Sequence, residues 1–272
     1  MDMFELADDL QESAFISVLN TGAGAREVLN LFQNSEMHAD LMVDNDEILS
    51  GDASRIEAAI GHLDMLIILS NLSNYDEREL ACKVAAISKK ADVLTLVYNL
   101  VPFEFKDSGK KAGADLLKSS ILKTDLYLAV TEHEQSEPLS VKAKNIKDVI
   151  DAVTNVVMIP GIICIDFSDL RAVICTGKLA VFGVGMSSDV LNALDEVLSC
   201  NDFNNINTSD VSGMFITLTA GLSLTLDDFT LLGELIDLKV PGDCIVVIGT
   251  VLEPSFDEIK QVSVVFTGPE LY

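Results

Sequence analysis

The turn after the third apolar strand is the first place in this sequence where side chains suited to chemistry collect. Met65–Leu69 is a short apolar run typical of a buried strand, and apolar residues at helical spacing begin a few positions later. A strand that runs directly into a helix is where α/β proteins place a glycine-rich phosphate loop. Here that turn, Ser73–Glu79, contains no glycine and three carboxylates, Asp76, Glu77 and Glu79. Carboxylates at this position would repel a phosphate group, and they also suit the dipole of an ordinary helix start.

A second candidate phosphate loop follows the first predicted strand. The apolar run Phe15–Leu19 leads into the segment NTGAG, which begins at Asn20 and carries Gly22 and Gly24. A single Gly-x-Gly after a strand is weak evidence for a nucleotide loop, and a tight turn explains it equally well.

The cysteines and histidines form no recognisable set of metal ligands. The number of cysteines is odd, none are spaced as C-x-x-C, and no histidine has a suitably spaced acidic or cysteine neighbour. The sequence therefore predicts reduced thiols in a cytoplasmic protein, and no metal site. The residues concerned are Cys82, Cys164, Cys175, Cys200, Cys244, His38, His62 and His133.

The charge of the chain argues against two classes of partner. Its 272 residues include 18 basic and 43 acidic side chains, for a net charge of −25. We therefore expect neither nucleic acid nor direct binding to an anionic membrane. The sequence has no run of about eighteen apolar residues, and its acidic start lacks the features of a secretory signal. These observations predict a cytoplasmic location.

Alternating strands and helices must position the candidate residues. The first half alternates short apolar strands with helical patterns, which predicts a doubly wound parallel sheet. A long helical pattern then leads to Pro160, and four further strands follow, with helices between the first three. We predict an acidic extension over residues 1–12, a degenerate nucleotide-binding (Rossmann-like) domain over 13–139, a central helix over 140–159 and a smaller α/β domain over 160–272 with a four-stranded sheet.

Three strings of the second half carry a family resemblance. They read PGIICIDFSDLRAVI from Pro160, TLTAGLSLTLDDFTLLGELI from Thr217 and VVIGTVLEPSFDEIKQVSVVFTG from Val246. In this order they resemble FtsZ, the bacterial tubulin-like division GTPase family. The family patterns are P-G-L-[IM]-N-[VL]-D-F-A-D-V-R, I-T-A-G-x-D-L-x-L-x-E and V-V-x-G-T-x-x-D-P. The resemblance implies a tubulin/FtsZ-like α/β fold.

The first half resembles the same family more faintly, but without a gap from Asp64 to Phe103. The strings DMLII and VAAISKKADVLTLVYNLVPF match, and the family's GGGTGTG signature falls on Ser73–Glu79. The phosphate loop is thus replaced in place. The resemblance assigns vestigial nucleotide-loop positions to Asn20, Gly22, Gly24, Asn71, Ser73 and Asn74.

Other nucleotide contacts of the family are also missing. The segment V-N-T-D-x-Q-x-L becomes Val43–Leu49 with added acids, the glycine-rich loop after it is absent, and the family's guanine-contacting acid falls near Ala143 or Lys144. Side chains forced into positive φ cost about 1–2 kcal/mol each, and each close like-charge pair costs about 1–4 kcal/mol. We therefore expect no nucleotide cofactor and no catalysis within the chain.

The synergy loop of the family is better preserved. The resemblance implies that Asp166, Asp169 and Arg171 can act in trans on a neighbouring subunit's GTP, where such carboxylates orient the attacking water. Cys164 replaces the family's asparagine. The same acids also fit a plain structural role, with Asp166 capping a helix and Asp169 supporting its first turn.

These observations predict a non-catalytic FtsZ-like protein that acts through protein contacts, as a regulator or structural associate of FtsZ-type filaments. Its expected partner is FtsZ, or a second copy of itself, in head-to-tail contact. The sequence given ends soon after the last family strand, so we expect no C-terminal tail for membrane-tethering partners. Two alternatives remain open: a divergent GTPase that binds GTP weakly and polymerises by itself, and an α/β domain repurposed for another small ligand.

Overall fold

The computed structural model describes residues 14–33, 35–100, 124–129, 137–199, 211–240 and 242–268. The predicted extension 1–12, the side chains of Cys200 and His133, and the segment after Gly268 lie outside the described residues. The strands are β1 Ile16–Asn20, β2 Asp40–Met42, β3 Met65–Ser70, β4 Leu94–Asn99, β5 Leu126–Ala129, β6 Leu179–Ser187, β7 Gly213–Ala220, β8 Ile245–Leu252 and β9 Lys260–Thr267. The helices are α1 Ala23–Phe32, α2 Asp46–Leu49, α3 Ala53–Ile60, α4 Tyr75–Lys90, α5 Leu139–Met158, α6 Phe167–Ile174, α7 Val190–Ser199 and α8 Leu226–Asp237.

The alternation predicted from the sequence is confirmed. Every apolar run interpreted as a strand is one, and the long helical pattern before Pro160 forms α5. The one-turn helix α2 was not predicted, because four residues are too few to show helical periodicity. The last two strands are joined only by a 3-10 turn, Pro254–Phe256, in agreement with the short link expected there.

All nine strands belong to one mixed sheet, in the order β2-β1-β3-β4-β5-β6-β9-β7-β8. The first five are parallel to their neighbours, and β9 runs antiparallel to both β6 and β7. The four C-terminal strands lie together at one end of this sheet, whereas the sequence predicted a separate four-stranded sheet for them. They are continuous with the first five because β6 pairs with β5 through Tyr127 with Leu179 and Leu128 with Ala180. The α/β fold class is confirmed.

Helices cover both faces of the sheet, which explains why its central strands are apolar without alternation. Strands β3 and β4 are buried at every position. One face of the sheet is covered by α1, α5 and α6, of which α1 lies against β1 and β3 and α6 against β7 and β8. Helices α3 and α4 cover the other face of β3 and β4. A third core lies between α7, α8 and one face of β7 and β9. This arrangement brings the starts of α1 and α4 to the carboxyl ends of β1 and β3.

Among the helices of the described ranges, none combines the length and the apolar character needed to span a bilayer.

Candidate functional site

The candidate site lies where β1 and β3 end side by side. These strands are parallel neighbours, with Asn20 in register with Leu69. The loops that follow are joined directly, since the amide of Thr21 donates to the Leu69 carbonyl at 3.2 Å and the hydroxyl groups of Thr21 and Ser70 lie 2.8 Å apart. The two predicted phosphate loops are therefore adjacent in the fold, at the edge where open α/β sheets bind ligands.

The turn between β3 and α4 is an ordinary capped helix start. The side chain of Asn74 accepts hydrogen bonds from the amides of Asp76 at 3.0 Å and Glu77 at 3.3 Å. The side chain of Asn71 accepts from the Ser73 amide at 3.1 Å. Within the described residues, positive φ angles outside glycine occur only at Asp44, Asp92 and Asp257. The expected strain of side chains in glycine conformations is therefore a wrong expectation: the chain has left those conformations.

Glu77 has a specific place in this turn. Its Oε2 accepts a hydrogen bond from the Asn71 amide at 3.0 Å. The carboxylate also lies against the backbone of the first loop, because a Cβ added to Gly22 would be 2.1 Å from Glu77 Cδ. The side chain of Glu77 thus fills the space between the two loops. The sequence assigned this acid either a repulsive role or a place in an ordinary helix start, because nothing in a linear pattern shows that a carboxylate folds back onto the preceding turn.

The other charged residues of the turn differ from Glu77 in their surroundings. Asp76 and Glu79 are exposed, while the Arg78 guanidinium donates to the Leu72 carbonyl at 2.9 Å and lies 5.4 Å from the centre of the Tyr75 ring. Arg78 is therefore occupied by its own turn. It does not offset the charge of these acids.

The first loop holds a third segment in place. The amide of Asp44 donates to the Asn20 side chain at 2.9 Å, and the Asn20 amide group in turn approaches the Asp44 carboxylate at 3.3 Å. The Asp44 carboxylate also pairs with Arg26 at 2.8 Å. Gly22 is the residue before α1 and caps it with no side chain. Gly24 has no atom within 4 Å of an added Cβ, so no close approach explains its lack of a side chain.

A cleft of about 750 Å³ lies beside these loops. Its lining includes Thr21, Gly51, Asn74, Glu77, Glu79 and Lys83. The sequence predicts that the family's glycine-rich loop after Val43–Leu49 is absent. In the structure, α2 ends at Leu49 and α3 begins at Ala53, so only residues 50–52 connect them. The described residues contain no group of three histidine, cysteine, aspartate or glutamate side chains able to hold a metal ion.

The central helix offers no acid at the expected positions. Ala143 is buried in the core, and the Lys144 ammonium pairs with Asp148 at 2.6 Å on the helix surface.

The synergy-loop residues form a separate group. Asp166 is the N-cap of α6, and its carboxylate accepts from the Asp169 amide at 2.9 Å, while the Asp169 carboxylate approaches the Asp166 amide at 3.4 Å. The Ser168 hydroxyl donates to Asp166 at 2.6 Å, and this bond, with the Asp169 amide, lowers the pKa of the Asp166 carboxyl. Both carboxylates are exposed. The predicted capping role is present, and it leaves both acids accessible.

Arg171 links this group to the far end of α4. Its guanidinium donates to the carboxylate of Asp92 at 2.7 Å and also to the Asp92 carbonyl. Asp92 follows the C-terminus of α4, whereas Glu77 lies in its first turn. Since α4 has 16 residues, the two groups lie roughly 24 Å apart along its axis. The structure thus brings the vestigial loop residues together and places the synergy loop at the opposite end.

Comparisons with known proteins give matches to FtsZ proteins. The profile of the FtsZ family, C-terminal domain, matches residues 177–270. The chain is 25% identical over 277 residues to the cell division protein FtsZ of Buchnera aphidicola subsp. Baizongia pistaciae, covering 93% of this chain and 72% of that protein. It is 28% identical to FtsZ of Buchnera aphidicola subsp. Schizaphis graminum, covering 80% of this chain and 60% of that protein.

Solved structures share the fold. An empty FtsZ dimer from M. jannaschii superposes with a TM-score of 0.75 at 20% identity, covering 97% of this chain and 91% of that one. CetZ from Methanosaeta thermophila gives a TM-score of 0.65 at 12% identity, covering 94% and 88%. The tubulin/FtsZ-like fold expected from the resemblance is confirmed.

Proposed function

This chain fits a member of the FtsZ family, and from that premise we propose that it is a cell-division protein of the FtsZ type that neither binds nor hydrolyses guanine nucleotide. It acts through protein contacts, as a regulator or structural associate of FtsZ-type filaments. Its partner is FtsZ or a second copy of itself.

The observation that carries the proposal is the protein-filled phosphate position. A phosphate needs backbone amides that point at it and a local positive charge. Here the Asn71 amide binds Glu77, the first amides of α4 bind Asn74, and Arg78 is turned to Leu72. Exposed Asp76 and Glu79 add further negative charge. These contacts support an affinity for GTP and GDP no better than millimolar.

The opposite end of the molecule supports a role in filaments. In head-to-tail assembly, one face of each subunit meets a different face of the next, and the contact repeats without closing. Asp166 and Asp169 are exposed at the start of α6, so this end can meet the nucleotide face of an FtsZ subunit. The Glu77 end offers no nucleotide in return. Such a molecule caps one filament end and acts at substoichiometric amounts.

The size of the cleft favours one of the two alternatives, the α/β domain repurposed for another small ligand. Its volume of about 750 Å³ is within the range of small-molecule sites, so a repurposed ligand site is the second candidate function. A rise in melting temperature with a small ligand, without preference for guanine nucleotides, would distinguish it.

Isothermal titration with GTP and GDP, joined to co-sedimentation with an authentic FtsZ, tests the proposal. We expect no heat of binding at micromolar nucleotide, and co-sedimentation only when the authentic protein is assembled. The authentic FtsZ serves as the positive control in both assays. Micromolar binding of GTP to this chain would refute the proposal and favour the divergent GTPase that polymerises by itself.

A further inference from the structure

Glu77 makes two contacts that a surface acid in a helical first turn does not need. At the third position of a helix, a glutamate commonly reaches back to the amide of the N-cap residue. Here the N-cap is Asn74, and its amide donates instead to the Asn71 carbonyl at 3.0 Å. Glu77 reaches past it to the Asn71 amide at 3.0 Å. Its carboxylate therefore binds the amide at the start of the turn and not the amide of the N-cap residue.

The carboxylate ends beside the start of a second helix. The atoms Cδ, Oε1 and Oε2 of Glu77 would lie 2.1, 2.3 and 2.6 Å from a Cβ on Gly22. Gly22 is the N-cap of α1, which has no side-chain cap and no acid in its own first turn. A helix start with these features attracts negative charge. Of the acids near this helix start, Asp44 is paired with Arg26. The Glu77 carboxylate, supplied by α4, instead lies directly against Gly22.

We propose that the Glu77 carboxylate is a built-in ligand: it occupies the anion position between the β1–α1 and β3–α4 loops and excludes phosphate by filling it. The chemical class that this position takes is a small oxyanion, here a carboxylate and, without it, inorganic phosphate or pyrophosphate. This inference rests on the proposed function, since it names the residue that keeps the position closed.

The arrangement explains why both loops keep their shape although no ligand is needed. The carboxylate satisfies the Asn71 amide, and Gly22 leaves the room that the carboxylate requires. Removal of the Glu77 side chain empties the position, while Asn74 still caps α4. Asp76 and Glu79 remain, but both are exposed and screened by salt.

The test compares wild type, Glu77→Ala and the control Glu57→Ala, an exposed acid on the neighbouring helix α3 that is not part of the cleft lining. Melting temperature is followed against sodium pyrophosphate at constant ionic strength, and hydrogen exchange is followed over residues 70–76. We expect Glu77→Ala alone to gain a rise of about 3 °C or more when pyrophosphate reaches tenfold its dissociation constant. We also expect at least about threefold faster exchange around Asn71 in that variant, because its amide loses its acceptor.

Each outcome decides the matter. If Glu77→Ala behaves like Glu57→Ala in both measurements, the proposal is wrong. Faster exchange without any pyrophosphate response also overturns it, because Glu77 would then only brace the turn. Should Glu77→Ala fail to fold, the same two measurements are made on the size-matched variant Glu77→Gln. We expect its melting temperature to rise with pyrophosphate by more than that of wild type, but by less than expected for an empty position. Nucleotide binding by wild type is a separate arm, and it alone bears on the proposed function.

Discussion

Replacing Gly22 by alanine probes the contact between the two loops at its tightest point. The new Cβ would lie 2.1 Å from Glu77 Cδ, far inside van der Waals contact. Because the carboxylate is the end of a flexible side chain, it moves away before the backbone does. The cost is therefore the loss of its 3.0 Å hydrogen bond with the Asn71 amide.

Two contributions set the size of the effect. A hydrogen bond to a charged group contributes about 1.5–3 kcal/mol, and alanine is a poorer N-cap than glycine by about 0.5–1 kcal/mol. We expect Gly22→Ala to lower the free energy of unfolding by about 2–4 kcal/mol. Gly24→Ala is the matched control. An added Cβ there meets nothing within 4 Å, and Gly24 lies inside α1, so we expect a gain of about 0.4–1 kcal/mol.

Urea denaturation of four proteins isolates the contact: wild type, Gly22→Ala, Glu77→Ala and the double variant. In the Glu77→Ala background, Gly22→Ala should cost only the capping contribution, which leaves a coupling energy of about 1.5–3 kcal/mol. An equal cost in both backgrounds would show that Glu77 does not fill the space beside Gly22. Equal effects of Gly22→Ala and Gly24→Ala would refute the reasoning as well.

Three further predictions concern the same structure. Asn74→Ala removes the cap of α4 and should cost about 0.5–2 kcal/mol in urea denaturation, whereas Ser73→Ala, whose side chain makes no cap, should cost far less. Restoring GGGTGTG at Ser73–Glu79 should give no measurable GTP hydrolysis in a phosphate-release assay, because the first loop, the missing glycine-rich loop and the guanine contact would still be deficient and such groups act only together. Measurable turnover would show that these other losses matter less than argued. Burial favours a higher pKa for the Asp228 carboxyl, but hydrogen bonds from Lys260 and Thr225 outweigh it and hold the pKa below the ordinary 3.8. A carboxyl whose pKa is lowered by folding stabilises the folded state at pH values above its pKa in the unfolded chain, and this stabilisation is lost as pH falls through its pKa in the folded protein. The difference in free energy of unfolding between wild type and Asp228→Asn should therefore shrink from pH 7 to pH 3; a constant difference would contradict this.

The sequence predicted the fold well because apolar periodicity reports burial. Strands such as Met65–Ser70 are buried on both faces, and that requirement is visible as a continuous apolar run. The short helix Asp46–Leu49 escaped prediction because its signal is a cap, Asn45, rather than a period. The joining of the two groups of strands also escaped, because it depends on two residue pairs between β5 and β6 that no local pattern encodes.

The candidate site was predicted in position but not in mechanism. The ungapped frame placed the lost glycines on Ser73–Glu79, and the structure has a capped helix start there. The sequence left two interpretations open, strain with repulsion and an ordinary helix start, and the structure has the helix start, without positive φ and with a carboxylate turned inward. Glu77 and Gly22 are 55 positions apart, so their contact follows only from the parallel pairing of β1 with β3. The link of Arg171 to Asp92 was missed for the same reason.

The effect on filaments is the remaining prediction, and it follows from the unequal ends of α4. A subunit that can be added to a filament but offers no nucleotide to the next one stops growth at that end. We expect this protein to shorten filaments of an authentic FtsZ at well below equimolar amounts, measured by electron microscopy of filament length.

Variants at the exposed end decide whether the synergy-loop acids are responsible. Asp166→Asn keeps an N-cap for α6 but removes a charge, and Asp169→Asn removes the second, so we expect both to shorten filaments less. Asp195→Asn, an exposed acid on α7, is the matched control and should act like wild type. With a net charge of −25, the protein should act more strongly as salt rises, because screening reduces its repulsion from an acidic filament. Equal shortening by all three variants would place the contact elsewhere, and unchanged assembly at equimolar wild type would refute capping itself.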